Sequence, residues 1–197
     1  MVLTISMEKI RNIIASSVSV KTAVSESQTI LNAIQSSVDM ITHAFKFGNR
    51  IYFCGNGGSA ADAQHLAAEF SGRFYKDRPA LPAEALHANS SYLTAVANDY
   101  GYDKVYARLI EGIAQAGDIL IGLSTSGNSE NIIQAFQVAK SKSVKTIGFT
   151  GDTGGKMKLL SDIWIPVPSS DTPRIQESHI MIGHIICQLV EENYFSV

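Results

Sequence analysis

From residue 50 onward, short apolar runs rich in β-branched and aromatic residues alternate with longer stretches of helical spacing. The runs are "RIYFC" (50–54), "DILIGLS" (118–124), "VKTIGFT" (144–150) and "DIWIPVP" (162–168), with "EALHA" (84–88) as a weaker fifth. Helices are expected between them at 59–73, 103–115, 128–142 and 155–161, and a long amphipathic one at 173–194. A run that is apolar at every position must be covered on both faces, and strands separated by helices pair in parallel. The pattern therefore predicts an α/β domain built on a buried parallel sheet.

Residues 5–48 show a different pattern. Ile10, Ile13 and Ile14 fall on one helical face, and Ile30, Ile34, Val38, Ile41 and Phe45 recur at spacings of three and four. This is one broken helix or two, with "SVSVKTAVSES" as the uncertain zone. So much helix ahead of the first strand has more apolar face than one small sheet covers, so the segment is expected to pack against another chain as well. The expected organisation is a helical oligomerisation segment, 1–48, followed by one domain, 49–197.

Composition closes off several classes. The 197 residues are 45% hydrophobic and 17% charged, with a net charge of −2, which fits a globular protein and leaves no electrostatic footprint for nucleic acid or an anionic membrane. No uncharged apolar stretch approaches the roughly 20 residues that span a bilayer. "MVLTISMEKIRN" lacks the basic and long apolar regions of a secretory signal, so a cytoplasmic location is expected. Cys54 and Cys187, the only cysteines, are then expected to be reduced core thiols.

In open α/β sheets ligands bind beyond the carboxyl ends of the strands, so the loops after the apolar runs are where chemistry is sought. The first, Gly55-Asn56-Gly57-Gly58-Ser59, follows "IYFC" and opens a helix. Glycines let a backbone approach a ligand closely, and the free N–H groups of a helix start favour an anion or a polar sugar. Read alone, it is equally a tight turn with Ser59 as the N-cap. It is neither a dinucleotide fingerprint nor a Walker A loop. The second loop, "LSTSGNSEN" (123–131), gathers Ser124, Thr125, Ser126 and Ser129 around one turn, with Asn128 or Ser129 starting a helix. Hydroxyls and helix N–H groups together form a phosphate cradle that needs no cation.

Two sets of ionisable groups stand out. His65 and Glu69 lie four residues apart, about 40° apart on one helical face. They are a surface hydrogen-bonded pair, a pair of metal ligands, or an acid/base with its orienting partner. The last helix carries Gln176 and His184, separated by about 12 Å along its axis and about 80° around it. One uninterrupted helix can hardly give both to one metal ion; a frayed first turn or a contribution from two chains would resolve this.

"CGNGGSAADAQHLAAEFSGRF", "VANDYGYDKVYAR", "LSTSGNSENI" and "DTPRIQESHIMIGHI" together resemble the sugar isomerase (SIS) domain, and more narrowly the phosphoheptose isomerases. The resemblance covers essentially the whole chain. It implies a three-layer αβα sandwich with a five-stranded parallel sheet, preceded by N-terminal helices. It also implies aldose–ketose isomerisation of sedoheptulose 7-phosphate in heptose biosynthesis for surface polysaccharide. By position, the family's zinc-site residues fall on His65, Glu69, Gln176 and His184, one zinc per subunit, and its proton-transfer residues on Glu69 and His184. Its substrate-binding positions fall on the two loops (Asn56, Gly57, Gly58, Ser59, Ser124, Thr125, Ser126, Ser129) and on Glu69, Asn98, Asp99 and Gln176. A homotetramer with active sites at subunit interfaces is implied as well. Within the SIS group the alternative is a non-enzymatic adaptor that binds the bacterial replication initiator, a reading disfavoured by the presence of both Glu69 and His184.

Overall fold

The computed structural model describes residues 6–196. Two helices lead: α1 (Met7–Glu26) and α2 (Gln28–Lys46). They meet at Ser27, whose extended backbone ends the first, while its side chain accepts the Ile30 N–H as the N-cap of the second. The rest alternates as the sequence predicts: β1 (Ile51–Gly55), α3 (Gly58–Ser71), β2 (Ala83–Ala85), α4 (Ser90–Tyr100), α5 (Val105–Ile113), β3 (Ile119–Leu123), α6 (Glu130–Ser141), β4 (Lys145–Thr150), α7 (Met157–Leu160), β5 (Ile163–Pro166) and α8 (Thr172–Tyr194).

The five strands form one parallel sheet in the order β2-β1-β3-β4-β5. Alternation along each strand divides the core in two. Ile51, Phe53, Ile119, Ile121, Leu123, Ile147 and Phe149 face a layer made by α2, α3 and α8. Tyr52, Cys54 and Leu120 face the layer of α4 to α7. This is the expected three-layer sandwich. The weak candidate at 84–88 is the edge strand β2, shorter and shifted to Ala83–Ala85. The helix α4 has no counterpart in the expected pattern, because Val96 is its only fully buried residue and its apolar periodicity is correspondingly faint.

The apolar faces of the two leading helices have different fates. Ile30, Ile34, Val38, Ile41 and Phe45 of α2 are buried in the same core as the sheet. On α1 only Val24 is buried, whereas Ile10, Ile13, Ile14 and Val18 remain exposed. Among the described residues no helix is long and apolar enough to cross a membrane. Both cysteines are buried free thiols, and burial pushes each of them up, away from the reactive thiolate.

Candidate active site

The helices α3 and α8 cross beside β1, and close contact at their crossing sets the site. Gly183 faces Leu66, and a Cβ on this glycine would lie 2.5 Å from the leucine methyls. A glycine there lets the two backbones approach, so side chains one residue away on either helix meet.

His65 of α3 and His184 of α8 are those side chains, and Glu69, one turn after His65 on α3, joins them. Each offers one ligand atom, and the three atoms lie within 4.8 Å of one another. His65 Nε2 and Glu69 Oε1 are 3.0 Å apart, and the two imidazole rings meet edge to face with centroids at 4.9 Å. His184 is half-buried, and its Nε2 is buried with no partner. Burial first, and the neighbouring His65 second, hold the His184 imidazole below its usual range despite the opposing pull of Glu69. It is therefore neutral at pH 7, the form that binds metal. One turn before His65, burial raises the Asp62 carboxyl.

The first loop begins at the end of β1. Gly57 sits at φ 56, ψ −122, a left-handed conformation that glycine adopts without strain, and it caps α3 with no side-chain bond. Ser59 is not the N-cap; it lies within α3, buried, with its hydroxyl 3.5 Å from Gln176 Nε2. The Gln176 amide lies so close to Gly58 that a Cβ there would be 2.7 Å from it. The helix α8 is continuous from Thr172 to Tyr194, with Asp171 as its N-cap, so of the two ways to bring Gln176 and His184 to one ion the frayed first turn is not found.

The second loop follows β3. Ser124 is buried, and its hydroxyl is 2.9 Å from that of Ser129, the N-cap of α6. The Ser126 hydroxyl accepts the Asn128 N–H at 3.1 Å, and the Thr125 carbonyl accepts the Gly151 N–H at 3.0 Å.

The two loops are joined by residues to which the sequence reading gives no role. Asn131, buried near the start of α6, makes a two-way amide pair with Asn56: each Nδ2 donates to the other's Oδ1, at 3.0 and 2.9 Å. The Tyr102 hydroxyl also donates to Asn56 Oδ1, at 3.2 Å. The Asn56 side chain, expected to face the ligand, is thus engaged by the protein and leaves its backbone for the loop's polar work. Asn131 closes the same "SGNSEN" turn that drew attention to its hydroxyls, and only contact across the sheet edge gives it a role. Asn98 and Asp99 lie in the last turn of α4; both are exposed, and Asn98 Nδ2 donates to Asp99 Oδ1 at 2.9 Å.

The SIS domain family matches residues 14–151. The phosphoheptose isomerase of Aneurinibacillus thermoaerophilus is 52% identical over 186 residues, covering 94% of each chain. The chain belongs to the phosphoheptose isomerase family. Two solved members of that family agree in structure. That of Francisella tularensis superposes with a TM-score of 0.91 at 32% identity, covering 96% of this chain and all of that one. That of Neisseria gonorrhoeae superposes at 0.88 and 36%, covering 94% and 98%. The adaptor alternative is not favoured beside these relatives.

In a phosphoheptose isomerase two imidazoles and a carboxylate converging on an open face are a donor set suited to zinc with a position left for substrate. The orphaned His184 Nε2 fits that reading, because a buried nitrogen without a partner is costly unless something binds it. A second structural feature escaped the sequence reading as well. Arg78 and Glu191 form a buried ion pair at 2.8 Å behind the ligand group. Burial alone would raise the Glu191 carboxyl, but the N–H groups of Lys76, Tyr75 and Phe74 and the Arg78 guanidinium outweigh it and hold the group ionised.

Proposed function

We propose that the chain converts sedoheptulose 7-phosphate to D-glycero-D-manno-heptose 7-phosphate through an enediolate, in the cytoplasm, as a step toward nucleotide-activated heptose. The observation that carries this reading is the convergence of Glu69, His65 and His184 on helices that begin at, or run past, a glycine loop tied to a hydroxyl loop. In this reading Ser124, Thr125, Ser126 and Ser129 receive the phosphate with neutral donors. The backbone of Asn56, Gly57 and Gly58, with Ser59 and Gln176, meets the carbon chain, and Asn98 and Asp99 bind its hydroxyls.

Glu69 takes a proton from C1 of the ketose, leaving negative charge on O2. His184, neutral at rest, carries the O1 proton to O2. Glu69 then returns its proton to C2 as the C1 carbonyl forms, so the proton taken from one carbon is delivered to the next. His65, Glu69 and His184 would hold one zinc per subunit, with Gln176 as the fourth candidate donor, contributed by a neighbouring chain because the unbroken α8 separates it from its own His184; zinc there would polarise the carbonyl and stabilise negative charge on oxygen. A carboxylate that gives its lone pairs to metal is a weaker base, so the two uses of Glu69 compete for the same oxygens.

The exposed apolar face of α1 supports a homotetramer, with active sites at the subunit interfaces. The test of the activity is Glu69→Gln. The variant should keep the fold and lose turnover of sedoheptulose 7-phosphate by at least about 100-fold, the lower range for loss of a general base. Turnover near the wild-type rate would remove Glu69 from the mechanism.

A further inference from the structure

The metal reading leaves one question: what fixes α3 against α8 so that ligands from separate helices meet? Leu66 against Gly183 sets how close the helices come, but not how they are rotated or how the segment after α3 runs. The buried pair Arg78–Glu191 has the connections to do so. Glu191 lies seven residues after His184, two turns on and about 20° away on the same side of α8. Its carboxylate accepts three consecutive backbone N–H groups, those of Phe74 (3.3 Å), Tyr75 (2.9 Å) and Lys76 (2.9 Å), together with Arg78 Nε (2.8 Å). Arg78 in turn donates to the carbonyls of Glu69 and Phe70, both at 2.7 Å, and to those of Gly72 and Pro79.

Two of these bonds lead directly to the ligand group. The Glu69 carbonyl that Arg78 grips belongs to the residue whose carboxylate faces His65 and His184. Phe74, whose N–H is held by Glu191, sets its ring 5.6 Å from the His184 ring. The side chains of Arg78 and Glu191 are 3% and 2% exposed, so both charges were taken fully out of water. A buried ion pair is a poor means of adding stability, because desolvation offsets the attraction and an apolar pair of similar volume serves as well. Its directional bonds instead fix geometry.

We propose that Arg78 and Glu191 are positioning residues for the metal centre: they clamp the end of α3, the 72–79 segment and α8 into the one arrangement in which His65, Glu69 and His184 converge. This rests on the zinc reading above. The test uses full-length, metal-stripped protein and zinc alone, titrated against a chromophoric chelator, with circular dichroism and the metal-free melting temperature measured in parallel. Glu191→Gln keeps shape but loses charge, and Arg78→Lys keeps charge but loses the planar fork. Each should bind zinc about 10- to 100-fold more weakly, the loss typical of residues that orient ligands. A purely structural role would lower the metal-free melting temperature and leave zinc affinity of the folded protein unchanged, which overturns the proposal. If neither variant folds, Phe74→Leu decides, since it leaves the charges and backbone bonds intact: several-fold weaker zinc binding supports the clamp, and unchanged binding refutes it. Wild-type protein that takes up no zinc refutes the metal reading and the clamp together, whereas zinc-binding wild type beside unaffected variants refutes the clamp alone.

Discussion

His179 offers a direct test of how the sheet end is built. Its ring is fully buried against Phe149, and its Nε2–H donates to the Thr150 carbonyl at 3.1 Å, which leaves Nδ1 buried without a partner. Thr150 ends β4, and the next residue, Gly151, donates its N–H to Thr125 of the hydroxyl loop. Burial lowers the His179 imidazole from 6.5 to about 4, a shift only partly opposed by the Thr150 bond. The sign follows from linkage. The folded state holds the ring neutral, while the unfolded chain takes up the proton first. Stability is therefore lost as pH falls below about 6.5, and the loss saturates below about 4. Each pH unit inside that window costs up to about 1.4 kcal/mol, so the descent from pH 7 to pH 5 removes about 2 kcal/mol through this residue alone. His179→Gln retains an N–H donor but cannot titrate. Urea unfolding of metal-stripped wild type and variant, at fixed protein concentration and at both pH values, isolates the effect, because other titrating groups cancel in the difference. The variant should lose about 2 kcal/mol less than wild type between the two pH values. Equal losses would show that His179 is not held neutral by its surroundings.

Two further outcomes are expected. Asn131→Ala leaves Asn56 Nδ2 without its acceptor and unties the two loops, so it should cost about 1–3 kcal/mol in denaturant unfolding and raise KM for the sugar phosphate more than it lowers kcat. Light scattering after size exclusion should give the mass of four chains, and Ile14→Asp on the exposed face of α1 should reduce it; a monomeric wild type would contradict the assembly.

The sheet could be read from the sequence because its strands are buried on both faces and separated by helices, which leaves continuous apolar runs. The loops were legible for a related reason: they follow those runs directly, and glycine and serine are conspicuous there. The His65–Glu69 pair could be found because helical geometry fixes a four-residue spacing without help from the rest of the chain. The meeting of that pair with His184 is a matter of tertiary structure. Its physical cause is the absence of a side chain at Gly183, which lets α8 approach Leu66 on α3. The same holds for Asn131 against Asn56 and for Arg78 against Glu191, partners 75 and 113 residues apart whose burial and bonding come from the packing of separate elements. Local periodicity and strand–helix order determined the layers and the loops that stand beyond the strand ends. Packing alone decided which polar side chains converge at the candidate site and which are spent holding it in shape, because those bonds exist only once elements remote in the chain have been brought together.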